Sequence, residues 1–146
     1  MNSLLIEAIK NATLEGLKDL PVFDLKDLLS VTDMTKVFGK DKTRFLCGRD
    51  PKYAYLYSAI IESESRFLEA ESVIAKSPEW AYYYAKNILE KRFQEAEPVI
   101  ATNPQYAYLY ARDILKQRWP EAEPTILTDP IYRQAYKNLF EYEIPI

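Results

Sequence analysis

A motif that returns at a nearly fixed interval constrains a chain more than its composition does. Asp50-Pro51-Lys52-Tyr53-Ala54-Tyr55-Leu56-Tyr57 returns as Ser77-Pro78-Glu79-Trp80-Ala81-Tyr82-Tyr83-Tyr84, and again as Asn103-Pro104-Gln105-Tyr106-Ala107-Tyr108-Leu109-Tyr110. A degraded copy opens at Asp129-Pro130-Ile131-Tyr132. The prolines at 51, 78, 104 and 130 give steps of 27, 26 and 26, and the extra residue lies between Tyr57 and Arg66. The second half of each unit repeats as well: Arg66-Phe67-Leu68-Glu69-Ala70-Glu71, Arg92-Phe93-Gln94-Glu95-Ala96-Glu97 and Arg118-Trp119-Pro120-Glu121-Ala122-Glu123. Such periodicity marks an array of small stacked units.

The unit reads as a pair of helices. Asp, Ser or Asn before Pro is a helix start. The side-chain oxygen takes a free backbone N–H, and Pro at the first helical position gives up a bond that no helix makes there. Trp80, Tyr84 and Ile88 lie four apart, as do Ala81, Ala85 and Leu89, which makes one apolar stripe with small residues for close helix approach. The Glu-Ala-Glu segment opens a second, shorter helix, its acids suited to the positive end of the dipole. Pro98 and Pro124 must then sit in its first turn. Neither helix can bury its apolar side alone, and stacking neighbours solves that. The expected fold is therefore all-α: short helix-pair tandem repeats stacked as a small α-solenoid over residues 50–146, with units starting near 50, 77, 103 and 129. Residues 1–49 show no repeat and read as a helical N-terminal cap. It would hold an amphipathic helix over 3–18 and short helices over 24–29, 32–38 (ended by Gly39) and 42–46 (ended by Gly48).

The wording of the repeat, Arg118-Trp119-Pro120-Glu121-Ala122-Glu123-Pro124 and Asp129-Pro130 preceded by Tyr106 to Leu115, resembles short tandem repeats in proteins of tailed bacteriophages, prophages and large DNA viruses. The resemblance covers about residues 50–140. It implies a helical array and a phage origin, and it supplies no catalytic residues.

The residues themselves offer little chemistry. The chain has no histidine and one cysteine, Cys47, which removes the commonest general base and any Cys/His zinc site. Its only glycines are Gly16, Gly39 and Gly48, so no phosphate loop or nucleophile elbow exists. The pairs Glu69/Glu71, Glu95/Glu97 and Glu121/Glu123 could in principle serve as paired acids. Their recurrence in every unit marks them as scaffold, each Glu reaching the Arg three residues before it. Cys47, beside Phe45 and Leu46, reads as a buried inert thiol. The chain is therefore read as no enzyme, with no cofactor and no metal.

Binding fits better. With Ala81 at the centre of the buried face, Tyr83 falls about 200° away and should point outward, unlike Trp80 and Tyr84. Stacked units would align three columns: Tyr55, Tyr82 and Tyr108; Leu56, Tyr83 and Leu109; and Lys86 and Arg112, continued by Lys137. Tyr and Arg are favoured at binding hot spots. These residues, Lys137 apart, are the candidate partner-binding set. The expected function is protein–protein interaction, as a phage-encoded inhibitor or modulator of a host bacterial defence factor. The alternative is a nucleotide-type ligand or nucleic acid on the Tyr/Arg face. A net charge of −3 disfavours long nucleic acid. No apolar stretch reaches membrane-spanning length, and the start lacks a signal peptide's basic and apolar regions. The expected setting is the cytoplasm, that of the host cell for a phage protein. The apolar tail from Phe140 to Ile146 would suit stacking of the array end on a second copy.

Overall fold

The computed structural model describes residues 3–20 and 23–141. Among them every regular element is helical, as the repeat requires. The chain forms two compact units, Met1–Val73 and Ile74–Ile146, so the first copy of the repeat lies in the same unit as residues 1–49.

The first unit holds α1 (Ser3–Asn11), α2 (Val31–Phe38), α3 (Lys40–Cys47) and α4 (Pro51–Leu56), with 3-10 turns at Gly16–Asp19, Leu25–Asp27 and Leu68–Ala70. Helix α1 stops well short of residue 18. The Thr13 hydroxyl accepts from the Gly16 backbone nitrogen at 3.0 Å, a local bond that competes with helix continuation. Lys42 closes the end of α1, its Nζ donating to the carbonyls of Ile9 and Lys10 at 2.8 and 2.7 Å. Gly39 ends α2 with φ of 85°, a conformation that only glycine reaches without strain. Ile9, Leu17, Met34, Leu46, Cys47 and Tyr57 form the buried core of this unit.

The second unit carries the repeat in its regular form. Helices α6 (Pro78–Tyr84), α8 (Pro104–Tyr110) and α10 (Pro130–Phe140) are the long members, and α7 (Glu97–Ile100) and α9 (Glu123–Ile126) the short ones. A further short helix, α5 (Glu71–Ile74), crosses the division between the units. Asp50, Ser77, Asn103 and Asp129 each accept backbone N–H bonds at their helix starts, with Pro following. Pro98 and Pro124 sit in the first turns of α7 and α9, where the missing N–H costs nothing. Ala81, Ala85, Ala107 and Ala111 are fully buried, and their small side chains let α8 lie against α6.

The long helices end in a way the spacing did not announce. The last turn widens to π geometry over Tyr57–Ile61, Ala85–Leu89 and Ala111–Leu115. In the second unit one left-handed residue then reverses the chain: Glu90 at φ 54° and Lys116 at φ 55°. The first copy uses two such residues, Ser63 and Glu64, at the place of its one-residue insertion.

Successive copies are clasped by an Arg–Glu–Tyr triad. Arg92 grips Glu97 through Nε and Nη2 at 2.9 and 2.7 Å, and Arg118 grips Glu123 at 2.9 and 3.0 Å. The Tyr110 hydroxyl of the next copy donates to Glu97 at 2.6 Å and accepts from the Phe93 backbone nitrogen at 2.8 Å. Tyr136 repeats this on Glu123 and Trp119. Each Tyr ring also packs on an aromatic, Tyr110 on Trp119 at 5.1 Å and Tyr136 on Phe140 at 4.9 Å, contacts worth about 0.5–1.5 kcal/mol each beyond area burial. The expected Arg–Glu tie exists, but with the acid five residues on rather than three. The intervening 3-10 turn aims Glu95 at solvent and turns Glu97 back toward Arg92. Arg66 pairs in the same way with Glu71, at 2.9 and 2.8 Å, while Glu69 pairs with Arg44 at 2.7 Å.

Candidate binding face

A clasp fixes one side of α8, and the side of α6 and α8 opposite their buried Ala and Tyr residues reaches solvent. Along α6 and the π turn that follows it the outer row is Glu79, Tyr83 and Lys86; along α8 and its π turn it is Gln105, Leu109 and Arg112. Each is exposed or half-buried, whereas Ala81, Tyr84, Ala85, Ala107, Tyr110 and Ala111 are buried. Contacts rise together along the two helices, Tyr83 meeting Tyr106 and Lys86 meeting Asp113, so α6 and α8 run parallel.

Tyr83 reaches the surface but does not stand free. Its ring leans on Trp80 at 5.7 Å, Tyr82 at 5.1 Å and Tyr106 at 6.2 Å. Together Trp80, Tyr83 and Tyr106 form a half-exposed aromatic cluster. The spacing of four from Tyr84 puts Trp80 in the expected buried stripe. A step of four overshoots the 3.6-residue turn by about 40°, and that drift carries Trp80 to the rim, where it is half-buried.

Tyr82 is a correction. It is 2% exposed, its ring packs on Tyr106 at 5.9 Å, and its hydroxyl donates to Asp113. The side chain holds α6 to α8 and cannot meet a partner. Tyr108, one copy later, is half-buried beside Tyr132 at 5.8 Å. The position of Asp113 is Leu139 in the last copy, so the acid that binds Tyr82 has no counterpart beside Tyr108. Tyr55 and Leu56 are half-buried and lie in the first unit. The basic column is shorter than expected: Asn138 occupies the place of Arg112, and Lys137 stands at the place of buried Ala111.

Asp113 is the electrostatic hub that the column reading missed. Arg112 grips it through Nε and Nη2 at 2.7 and 2.9 Å, and Lys86 approaches to 3.8 Å. The Arg112 bonds hold its carboxyl below the usual range, outweighing the opposing effect of burial, with help from Tyr82. Burial pushes the Tyr82 hydroxyl well up, and the Asp113 carboxylate adds to it. Burial likewise lifts Tyr106 to about 12, aided by the nearby Glu79 carboxylate and Tyr83. Lys86 sits over the Tyr82 ring at 5.8 Å and Arg112 over Tyr108 at 5.7 Å. Both cations remain 47% and 41% exposed, so one carboxylate is shared by two cations that face solvent.

A cleft of about 430 Å³ in the second unit is lined by Arg92, Glu97, Arg118 and Trp119, which belong to the clasps. Cys47 is fully buried, and desolvation pushes its thiol up to about 12, the inert state expected of it. Among the described residues no group of three His, Cys, Asp or Glu is placed to hold a metal, and no helix is long and apolar enough to cross a membrane. Comparison of the chain with family models, curated proteins and solved structures finds no match.

Proposed function

We propose that the chain is a non-catalytic protein-binding module whose docking surface is the outer face of α6 and α8. The observation that carries this reading is the Trp80–Tyr83–Tyr106 cluster: three large aromatics, half-exposed and braced against one another on rigid helices. Aromatics held this way offer wide contact area at low entropy cost, which is why interfaces favour them. Lys86 and Arg112 flank the cluster and supply directional polar contacts. In this reading the clasped copies of the second unit, from Ser77 onward, stack as a small helical array that presents the face.

The resemblance to repeats of phage and large-virus proteins directs the choice of partner toward a host bacterial factor, as an inhibitor or modulator acting in the host cytoplasm. The test is capture of a partner from bacterial lysate by the intact chain, with Tyr83→Glu/Leu109→Glu as comparison. Loss of capture in the folded double variant supports the reading, and undiminished capture overturns it. A second reading, an anionic base-stacking ligand, is favoured by Lys86 and Arg112, two cations that face solvent on the same outer face as the half-buried Tyr83 and Tyr106. Salt separates the two: binding through phosphates falls steeply with ionic strength, while an aromatic protein interface responds weakly.

A further inference from the structure

The outer rows of α6 and α8 are chemically polarised along their length. Glu79 and Lys86 are seven residues apart, so they lie on nearly one line about 10 Å apart along the axis, with Tyr83 between them. Gln105, Leu109 and Arg112 repeat the line on the parallel helix. Among the described residues Glu79 makes no ion pair, while Lys86 and Arg112 share the single acid Asp113. The strip thus carries one acid, Glu79, and the neutral Gln105 at the helix starts, is apolar in the middle, and is basic at the helix ends.

A strip of this kind meets its own complement when turned through half a revolution. Resting on the reading of this face as a docking surface, the geometry points to a second copy of the chain as its occupant. The pair is isologous: a two-fold axis at right angles to the helices lays α6 of one copy antiparallel on α6 of the other, and α8 on α8. Glu79 then faces Lys86 of the second copy, Gln105 faces Arg112, and Tyr83 and Leu109 lie near the axis. Lys86 can serve two carboxylates, since its ammonium carries three donors and stands 3.8 Å from Asp113. Two-fold symmetry makes the Glu79–Lys86 pair occur twice, so one substitution removes two.

Sedimentation equilibrium over a wide concentration series tests this directly, with folding of each variant checked by circular dichroism. The wild-type chain should show a monomer–dimer equilibrium. Glu79→Lys puts like charges together twice and should weaken it about tenfold or more. Leu109→Glu should do the same, with Leu109→Gln as the gentler variant should the glutamate fail to fold. Glu95→Lys, exposed on the short-helix side, should leave the equilibrium unchanged. A wild-type chain monomeric throughout overturns the self-pairing, as does a dimer indifferent to both face variants or equally weakened by Glu95→Lys. A monomeric chain that still captures an unlike protein through Tyr83 and Leu109 leaves the docking reading standing. One that captures nothing removes both.

Discussion

The hydroxyl of Tyr136 accepts a hydrogen bond from the backbone nitrogen of Trp119, 17 residues earlier, at 2.8 Å. The same hydroxyl donates to Glu123 at 2.8 Å. One oxygen therefore satisfies a buried backbone donor and a carboxylate from the preceding copy, and Tyr110 does so for Phe93 and Glu97. Removing that oxygen while keeping the ring isolates its worth. Tyr136→Phe leaves the Trp119 N–H buried without a partner, a loss of about 1–3 kcal/mol. Each kcal/mol lowers the melting temperature of a unit this size by roughly 4–8 °C. Tyr110→Phe should match it, whereas Tyr83→Phe should change little. Equal melting of all three would show that the clasp does not hold the copies together.

Glu121 and Glu123 separate the two acids of each repeat pair. Glu123 is 7% exposed and held by Arg118 and Tyr136, whereas Glu121 is exposed. Glu123→Gln should destabilise the second unit by about 1–3 kcal/mol, short of a fully buried pair because Arg118 stays 44% exposed. Glu121→Gln should fall within about 0.5 kcal/mol of wild type. Urea denaturation of both variants checks the contrast.

The helix starts and the buried stripe were legible in the sequence because each rests on a local rule. Proline after Asp, Ser or Asn can only be a cap and first turn, and alanine at repeat spacing can only be a close approach. The Arg–Glu tie was legible in kind but not in register, because its geometry depends on a 3-10 turn that no spacing of charges reveals. Tyr82 and Tyr83 show the limit most clearly. They are adjacent and chemically identical, yet one is interior and the other at the surface. Helical phase turns Tyr83 outward, but the burial of Tyr82 goes with Asp113, 31 residues later, which takes its hydroxyl; only the packed helices bring those two together. The π turns were not legible either, since the spacing of four through Ala81, Ala85 and Leu89 reads as one continuous α-helix.

Stability should fall at both ends of the pH scale. The Arg92 bonds hold Glu97 below the usual carboxylate range, outweighing burial, and Arg112 does the same for Asp113. A carboxyl with a lowered folded pKa contributes stability above its unfolded pKa of about 4. That contribution is lost as pH falls through the folded value. Burial raises Tyr136 to about 12. Its contribution is complete below the unfolded pKa of about 10 and is lost as pH rises from there toward 12. Thermal melts across pH should show both flanks, with Glu97→Gln flattening the acid side and Tyr136→Phe the alkaline side.

Glu90 and Lys116 end π turns in the left-handed region, at φ 54° and 55°, where a side chain costs roughly 1–2 kcal/mol that glycine avoids. Glycine also gives the unfolded chain more freedom, which returns part of that gain. Glu90→Gly and Lys116→Gly should each stabilise the second unit, by about 0.5–1 kcal/mol net. Neither side chain forms an ion pair among the described residues, so no compensating loss is expected. Gly39→Ala makes the mirror test in the first unit: open space surrounds the added methyl, yet φ of 85° penalises it. It should destabilise through the backbone alone, by about 1 kcal/mol or more. Chemical denaturation of the three variants decides the matter. A glycine at 90 or 116 that weakens the fold would mean that the left-handed turn is held by the side chain rather than tolerated in spite of it.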